Sequence, residues 1–253
     1  MRFAMLAAAA AILAAPASAA TVIEFRNISG SWHSPIAGQG LTGLGTDSVR
    51  WGTGTNNKSG YDFIAATDPS LSVTPPAGSD EAIIGTFRHL NFPINAGSGI
   101  EGIKLNFNTD VYVDDVFLQN VTFVYDFAHW ETPNSPAGGI CADGGGNYTG
   151  VNINGCADRV KISFNRQSEG FTIDNNVYAL DIEGFLLDGQ PLSQFWTVEE
   201  RLNEAQIRGR VVLYSEAAGG VPEPATWAML IAGFGLVGAA ARRRRSDVAR
   251  ATA

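Results

Sequence analysis

The side chains that could do chemistry in this sequence are few and scattered. It has three histidines, His33, His89 and His129. His89 and Asn91 stand one residue apart on a stretch that reads as a strand, so both project to the face that also carries Phe87. An imidazole beside a carboxamide can orient a ligand; it can equally be a core histidine whose nitrogens are satisfied by a backbone carbonyl or by Asn91. The apolar continuation Phe92-Pro93-Ile94 points to the buried, structural reading. His129-Trp130-Glu131 places an imidazole and a carboxylate on one side, as a metal or acid–base pair would require. No third ligand is identifiable around it, so the expectation is a solvated strand end and no metal site.

Asp114-Asp115, and Asp143 in its Gly-rich surroundings, offer oxygen ligands for Ca²⁺, although the D-x-D-x-D-G spacing of a calcium loop is missing. No cofactor beyond that possible Ca²⁺ is expected. The sequence contains no nucleophile elbow, no H-E-x-x-H and no P-loop, and no catalytic residue is assigned. Trp32, Trp51, Trp130 and Trp196 are each expected in the core, and an exposed one would instead favour a sugar platform.

The elements that must position these groups are strands. The 253 residues include 29 Gly and 11 Pro but only 17% charged residues, a composition suited to a turn-rich, exported all-β domain. A net charge of −8 supplies no field for a phosphate backbone, so nucleic acid is not an expected partner. Thr21 to Ile28 alternates like a half-buried strand, and similar runs recur at Ser48–Thr53, Tyr61–Ala65, Ala82–Ile94, Ile100–Phe107, Val111–Phe127, Val160–Phe164, Phe171–Leu187 and Ile207–Tyr214. Asp188-Gly189 is a two-residue hairpin signal. Thr197-Val198-Glu199-Glu200 has the form of a capping box and predicts one short helix through Gln206. Thr67 to Asp80 is expected to be an exposed loop. Together these predict a single β-sandwich, jelly-roll-like, over residues 21–220.

Both ends read as targeting segments. Residues 1–20 have the basic start at Arg2, the apolar stretch and the Ala17-Ser18-Ala19 site of a signal peptide, which implies the Sec export machinery. Residues 225–241 form an uncharged run followed by Arg242, Arg243, Arg244 and Arg245. At about 1.5 Å per residue such a run nearly spans a bilayer as a helix, and the arginines hold it with residues 246–253 as a cytoplasmic tail. Before it, Pro222 and Pro224 keep Val221 and Glu223 extended, a form in which a processing enzyme can bind them. The order of Val221-Pro222-Glu223-Pro224, apolar run and arginine cluster resembles the PEP-CTERM sorting signal of Gram-negative bacteria. That resemblance implies a transient inner-membrane anchor, an exosortase as partner, and delivery to the cell surface or extracellular matrix.

Without the basic and acidic residues of the two ends, Thr21 to Gly220 keeps 11 Lys+Arg against 23 Asp+Glu, a charge of −12 that suits a soluble secreted body. In such a protein Cys141 and Cys156, the two cysteines, are expected to form a disulfide. The body also resembles the THxN family of PEP-CTERM proteins, related to choice-of-anchor K domains. The likeness runs through Asn27-Ile28-Ser29-Gly30-Ser31-Trp32, Val49-Arg50-Trp51-Gly52, Ser59-Gly60-Tyr61-Asp62-Phe63, Gly85 to Ile94, and Glu131-Thr132-Pro133-Asn134 with the cysteines. Arg88 replaces the Thr of the name-giving motif, while His89 and Asn91 remain. The resemblance implies a secreted β-sandwich without an assigned reaction. The expected function is that of a non-enzymatic surface or matrix protein associated with exopolysaccharide in a biofilm; a carbohydrate-active enzyme or carbohydrate-binding module is the alternative.

Overall fold

The computed structural model describes residues 20–54, 56–74, 77–165 and 168–215. Residues 1–19 of the expected signal peptide, the sorting motif with its apolar run, and the arginine cluster lie outside the described residues. Among the described residues no helix is long and apolar enough to cross a membrane.

The described residues form thirteen strands: β1 (Thr21–Ala37), β2 (Ser48–Trp51), β3 (Ser59–Ala65), β4 (Ser70–Val73), β5 (Glu81–Asn91), β6 (Ile100–Val113), β7 (Val116–Trp130), β8 (Asp158–Phe164), β9 (Phe171–Ile173), β10 (Asn176–Leu187), β11 (Gln190–Leu192), β12 (Gln194–Thr197) and β13 (Arg201–Ser215). They form two sheets, one in the order β12-β8-β7-β6-β1-β4 and one in the order β11-β10-β13-β5-β3-β2, with β9 on β10. All pairings between strands are antiparallel. The result is an all-β, sandwich-like body.

The period-2 pattern of the sequence decides which side chains fill the space between the sheets. On β7 Val121, Phe123, Tyr125, Phe127 and His129 are buried in alternation, and on β8 Asp158, Val160 and Ile162. Tight turns cut the longest predicted runs. Asp114 and Asp115 both have positive φ and join β6 to β7 where Val111–Phe127 is predicted continuous; Asp174 and Asn175 do the same between β9 and β10. Asp188 and Gly189, both at positive φ, close the β10–β11 hairpin as expected.

Two expectations are corrected. The predicted helix from Thr197 to Gln206 does not form: Thr197 ends β12 and Arg201 begins β13. The local signal loses because Ala205, Ile207 and Val211 are buried at even spacing, which suits a strand. Here β13 fills the gap between β10 and β5, where it gains two full ladders. The loop predicted from Thr67 to Asp80 contains β4, which pairs with the start of β1 and buries Leu71 and Val73.

Candidate metal centre

At one end of the core the filling changes from phenyl rings to polar groups. Phe87 on β5 and Phe127 on β7 stack across the two sheets at 5.3 Å between centroids. One strand repeat further along, the same faces carry His89 and His129, whose rings meet edge-on at 5.2 Å. Around them gather Trp51 of β2, Tyr61 of β3, Asp158 of β8, Thr197 of β12, Glu131 just after β7, and Glu199 in the turn before β13. His89, Asn91, Tyr61, Asp158, Thr197 and Glu199 are fully buried.

The hydrogen bonds assign the state of the first imidazole. Thr197 Oγ1 donates to the Asp158 carbonyl (3.2 Å), which uses its only proton. His89 Nδ1, 2.9 Å from Thr197 Oγ1, is therefore the donor to that hydroxyl oxygen, leaving the Nε2 lone pair free. Asn91 donates to the Thr197 carbonyl (3.0 Å) rather than to His89. The expected pairing of His89 with Asn91 is thus replaced by a shared partner on the opposite sheet. Burial, then the neighbouring His129, holds the His89 pKa well below the ordinary histidine value, so the ring is neutral.

His129 is not at a solvated strand end. Its side chain is buried, with Nδ1 2.6 Å from the Tyr61 hydroxyl and Nε2 3.2 Å from Glu131 Oε2 and 4.0 Å from Asp158 Oδ2. Asp158, which the sequence does not single out, accepts from the Thr132 amide through Oδ1 (2.7 Å), while Oδ2 has no hydrogen-bond partner. Burial, with Glu131 and Glu199 adding their charge, pushes Asp158 well above the usual carboxylate range. Burial and Glu131 likewise raise Glu199 to about 7, against the opposing influence of the Asn91 and Asn134 amides. Neither amide makes a well-formed hydrogen bond to it.

One donor atom each from His89, His129 and Asp158 lie within 4.8 Å of one another, and so do those from Glu131, Asp158 and Glu199. The cluster meets the surface through a cleft of about 590 Å³ lined by His129, Glu131, Asn134, Ile94 and Ile100. Gly99 lies against the mouth, where a Cβ would stand 2.8 Å from Glu131 Oε2.

Asp114, Asp115 and Asp143 do not converge with this cluster. Asp114 accepts from the Val22 amide, Asp115 pairs with Arg26, and Asp143 accepts from Asn152. Cys141 and Cys156 form the expected disulfide. Its effect reaches the cluster, because Thr132 Oγ1 donates to the carbonyls of Cys156 and Ala157, the residues leading into Asp158, and Asn154 donates to the Glu199 carbonyl. Cys156→Ser is expected to cost about 2–5 kcal/mol in denaturant unfolding. Two freely labelled thiols in the native exported protein would contradict the bridge.

On the outer face of the same strands, Trp130, Arg159 and Trp196 form a row across β7, β8 and β12, in direct register. The Arg159 guanidinium stacks on the Trp130 ring at 4.6 Å, and Trp130 keeps 43% of its surface exposed. Trp32 and Trp51 are core residues as expected; Trp130 is not.

Residues 220–245 match the family described as the PEP-CTERM protein-sorting motif. The chain is therefore targeted to an exosortase and addressed for export to the surface or exterior of a Gram-negative cell. Among curated proteins no match to the chain is found.

Proposed function

We propose that this is a non-enzymatic protein of the cell surface or extracellular matrix, retained there by contact with exopolysaccharide. In this reading residues 1–20 are removed on Sec export, residues 21–220 are the working domain, and residues 221–245 hold the chain transiently in the inner membrane until exosortase releases it. The resemblance to the THxN family supports the same placement. The observation that carries the ligand half of the reading is the row Trp130–Arg159–Trp196 on the outer face of the sheet, since an exposed indole stacks on sugar rings without needing a cleft.

The other reading, a carbohydrate-active enzyme, draws on the carboxylates beside the cleft. Glu131, Asp158 and Glu199 bring one oxygen each within 4.8 Å of one another, and two carboxyl groups flanking a bond are what glycoside hydrolysis uses. Incubating the exported protein with exopolysaccharide of the producing cells separates the two. Co-sedimentation without new reducing ends is expected, and Trp130→Ala should weaken binding about tenfold, close to 1.4 kcal/mol, with unchanged melting. Release of reducing ends would establish the enzyme.

A further inference from the structure

We infer that His89, His129 and Asp158 form a binding site, open to the cleft beside Glu131, for one divalent transition-metal cation of the Zn²⁺ class, which ties the two sheets together at this end of the sandwich. The inference is independent of the polysaccharide reading.

Unpartnered buried atoms carry the argument. His89 Nε2 and Asp158 Oδ2 belong to fully buried side chains and have no hydrogen-bond partner, and both belong to the cluster that His129 completes. Leaving such groups desolvated and unpaired is costly, and a cation placed among them satisfies them together. The separations fit. Zn²⁺ with ligands at about 2.0–2.2 Å places tetrahedral donor atoms roughly 3.3–3.6 Å apart; His129 Nε2 stands 4.0 Å from Asp158 Oδ2 and the three donor atoms lie within 4.8 Å of one another, so small side-chain shifts bring them onto one ion.

The surrounding shell is also built for metal. His89 Nδ1 is held by Thr197 Oγ1, which leaves Nε2 as the nitrogen available to a metal, and Asp158 is oriented through its other oxygen by the Thr132 amide. The Tyr61 oxygen, 2.6 Å from His129 Nδ1, would accept that N–H when Nε2 ligates. Two imidazoles among the donors select a borderline transition metal, since Ca²⁺ takes six to eight oxygens. His89 comes from the seven-stranded sheet and His129 and Asp158 from the six-stranded sheet, so a single ion bridges the layers. Glu199, packed beside Glu131 and Asp158, adds negative charge without being needed as a ligand.

The test uses the full exported protein. Metal analysis after purification without chelator should give one equivalent of Zn²⁺ or a neighbouring first-row ion per chain. Stripping with a chelator and adding back Zn²⁺ should raise the melting temperature by several degrees, while Ca²⁺ and Mg²⁺ should not. His129→Gln and Asp158→Asn should each weaken Zn²⁺ binding by more than tenfold, and Thr197→Val by about 10–100-fold through the loss of its hold on His89. Should the ligand variants fail to fold, Co²⁺-loaded wild-type protein decides, with hyperfine-shifted imidazole signals expected from two histidines. No retained metal and no thermal shift would overturn the inference. So would preference for Ca²⁺, unchanged affinity in folded His129→Gln and Asp158→Asn proteins, or Co²⁺ signals from fewer than two histidines.

Discussion

Phe87→Ala should lower the unfolding free energy by about 3–5 kcal/mol, the range for emptying a phenylalanine site in a close-packed core. Phe87 is fully buried and touches five other aromatic rings: Trp32, Tyr61, Phe127, Phe185 and Phe195. These come from both sheets, so the neighbours are held by separate ladders and cannot collapse together into the space left behind. Phe87 also lies directly behind His89 on β5, and its ring sets the spacing between the layers at the polar cluster. Urea unfolding followed by tryptophan fluorescence measures the loss, with Trp32 and Trp51 as buried reporters. A loss below about 1 kcal/mol would mean that the core at this position is loosely packed.

The second large effect concerns where the protein ends up. Changing Pro222 and Pro224 together to Ala should leave the uncleaved chain in the membrane fraction, whereas the unaltered protein should be recovered outside the cell without Arg242 to Arg245. Each proline fixes its own φ and disfavours helix in the residue before it, so the sequence predicts Val221 and Glu223 extended beside the apolar run. Two alanines remove that constraint and allow the run to extend upstream as helix, taking the segment out of the form a processing enzyme binds. Fractionation and intact mass give the answer. Release of the double variant at the normal rate, or extracellular protein that still carries the arginines, would show that this segment is not where processing acts.

Much of the architecture was legible locally. Alternating hydrophobicity is a property of neighbouring residues, and it marked most of the strands from β1 to β10 and the second half of β13, but not β4, β11 or β12; Asp188-Gly189 marked a hairpin because few other residue pairs accept positive φ twice. Two cysteines in an exported chain left one pairing to make. The sorting motif at residues 220–245 is a linear signal, read by composition and order, and needs no fold to be seen.

What tertiary structure alone decided are the partnerships between distant segments. The capping-box pattern at Thr197 was a real local preference, overruled because β13 gains a ladder on each side as a strand and none as a helix. Trp130 and Trp196 looked like core residues until register placed them on the outer face beside Arg159. The convergence of His89, His129 and Asp158 was not visible for the same reason. His89 and His129 lie forty residues apart on different sheets, and Asp158 joins them only because β8 pairs with β7 in the register that puts Val160 opposite His129. An aspartate in a sequence carries no mark of where it will be buried. Sheet register is set by the summed pairing and burial of whole strands, and that sum turned three unremarkable side chains into neighbours with lone pairs left over.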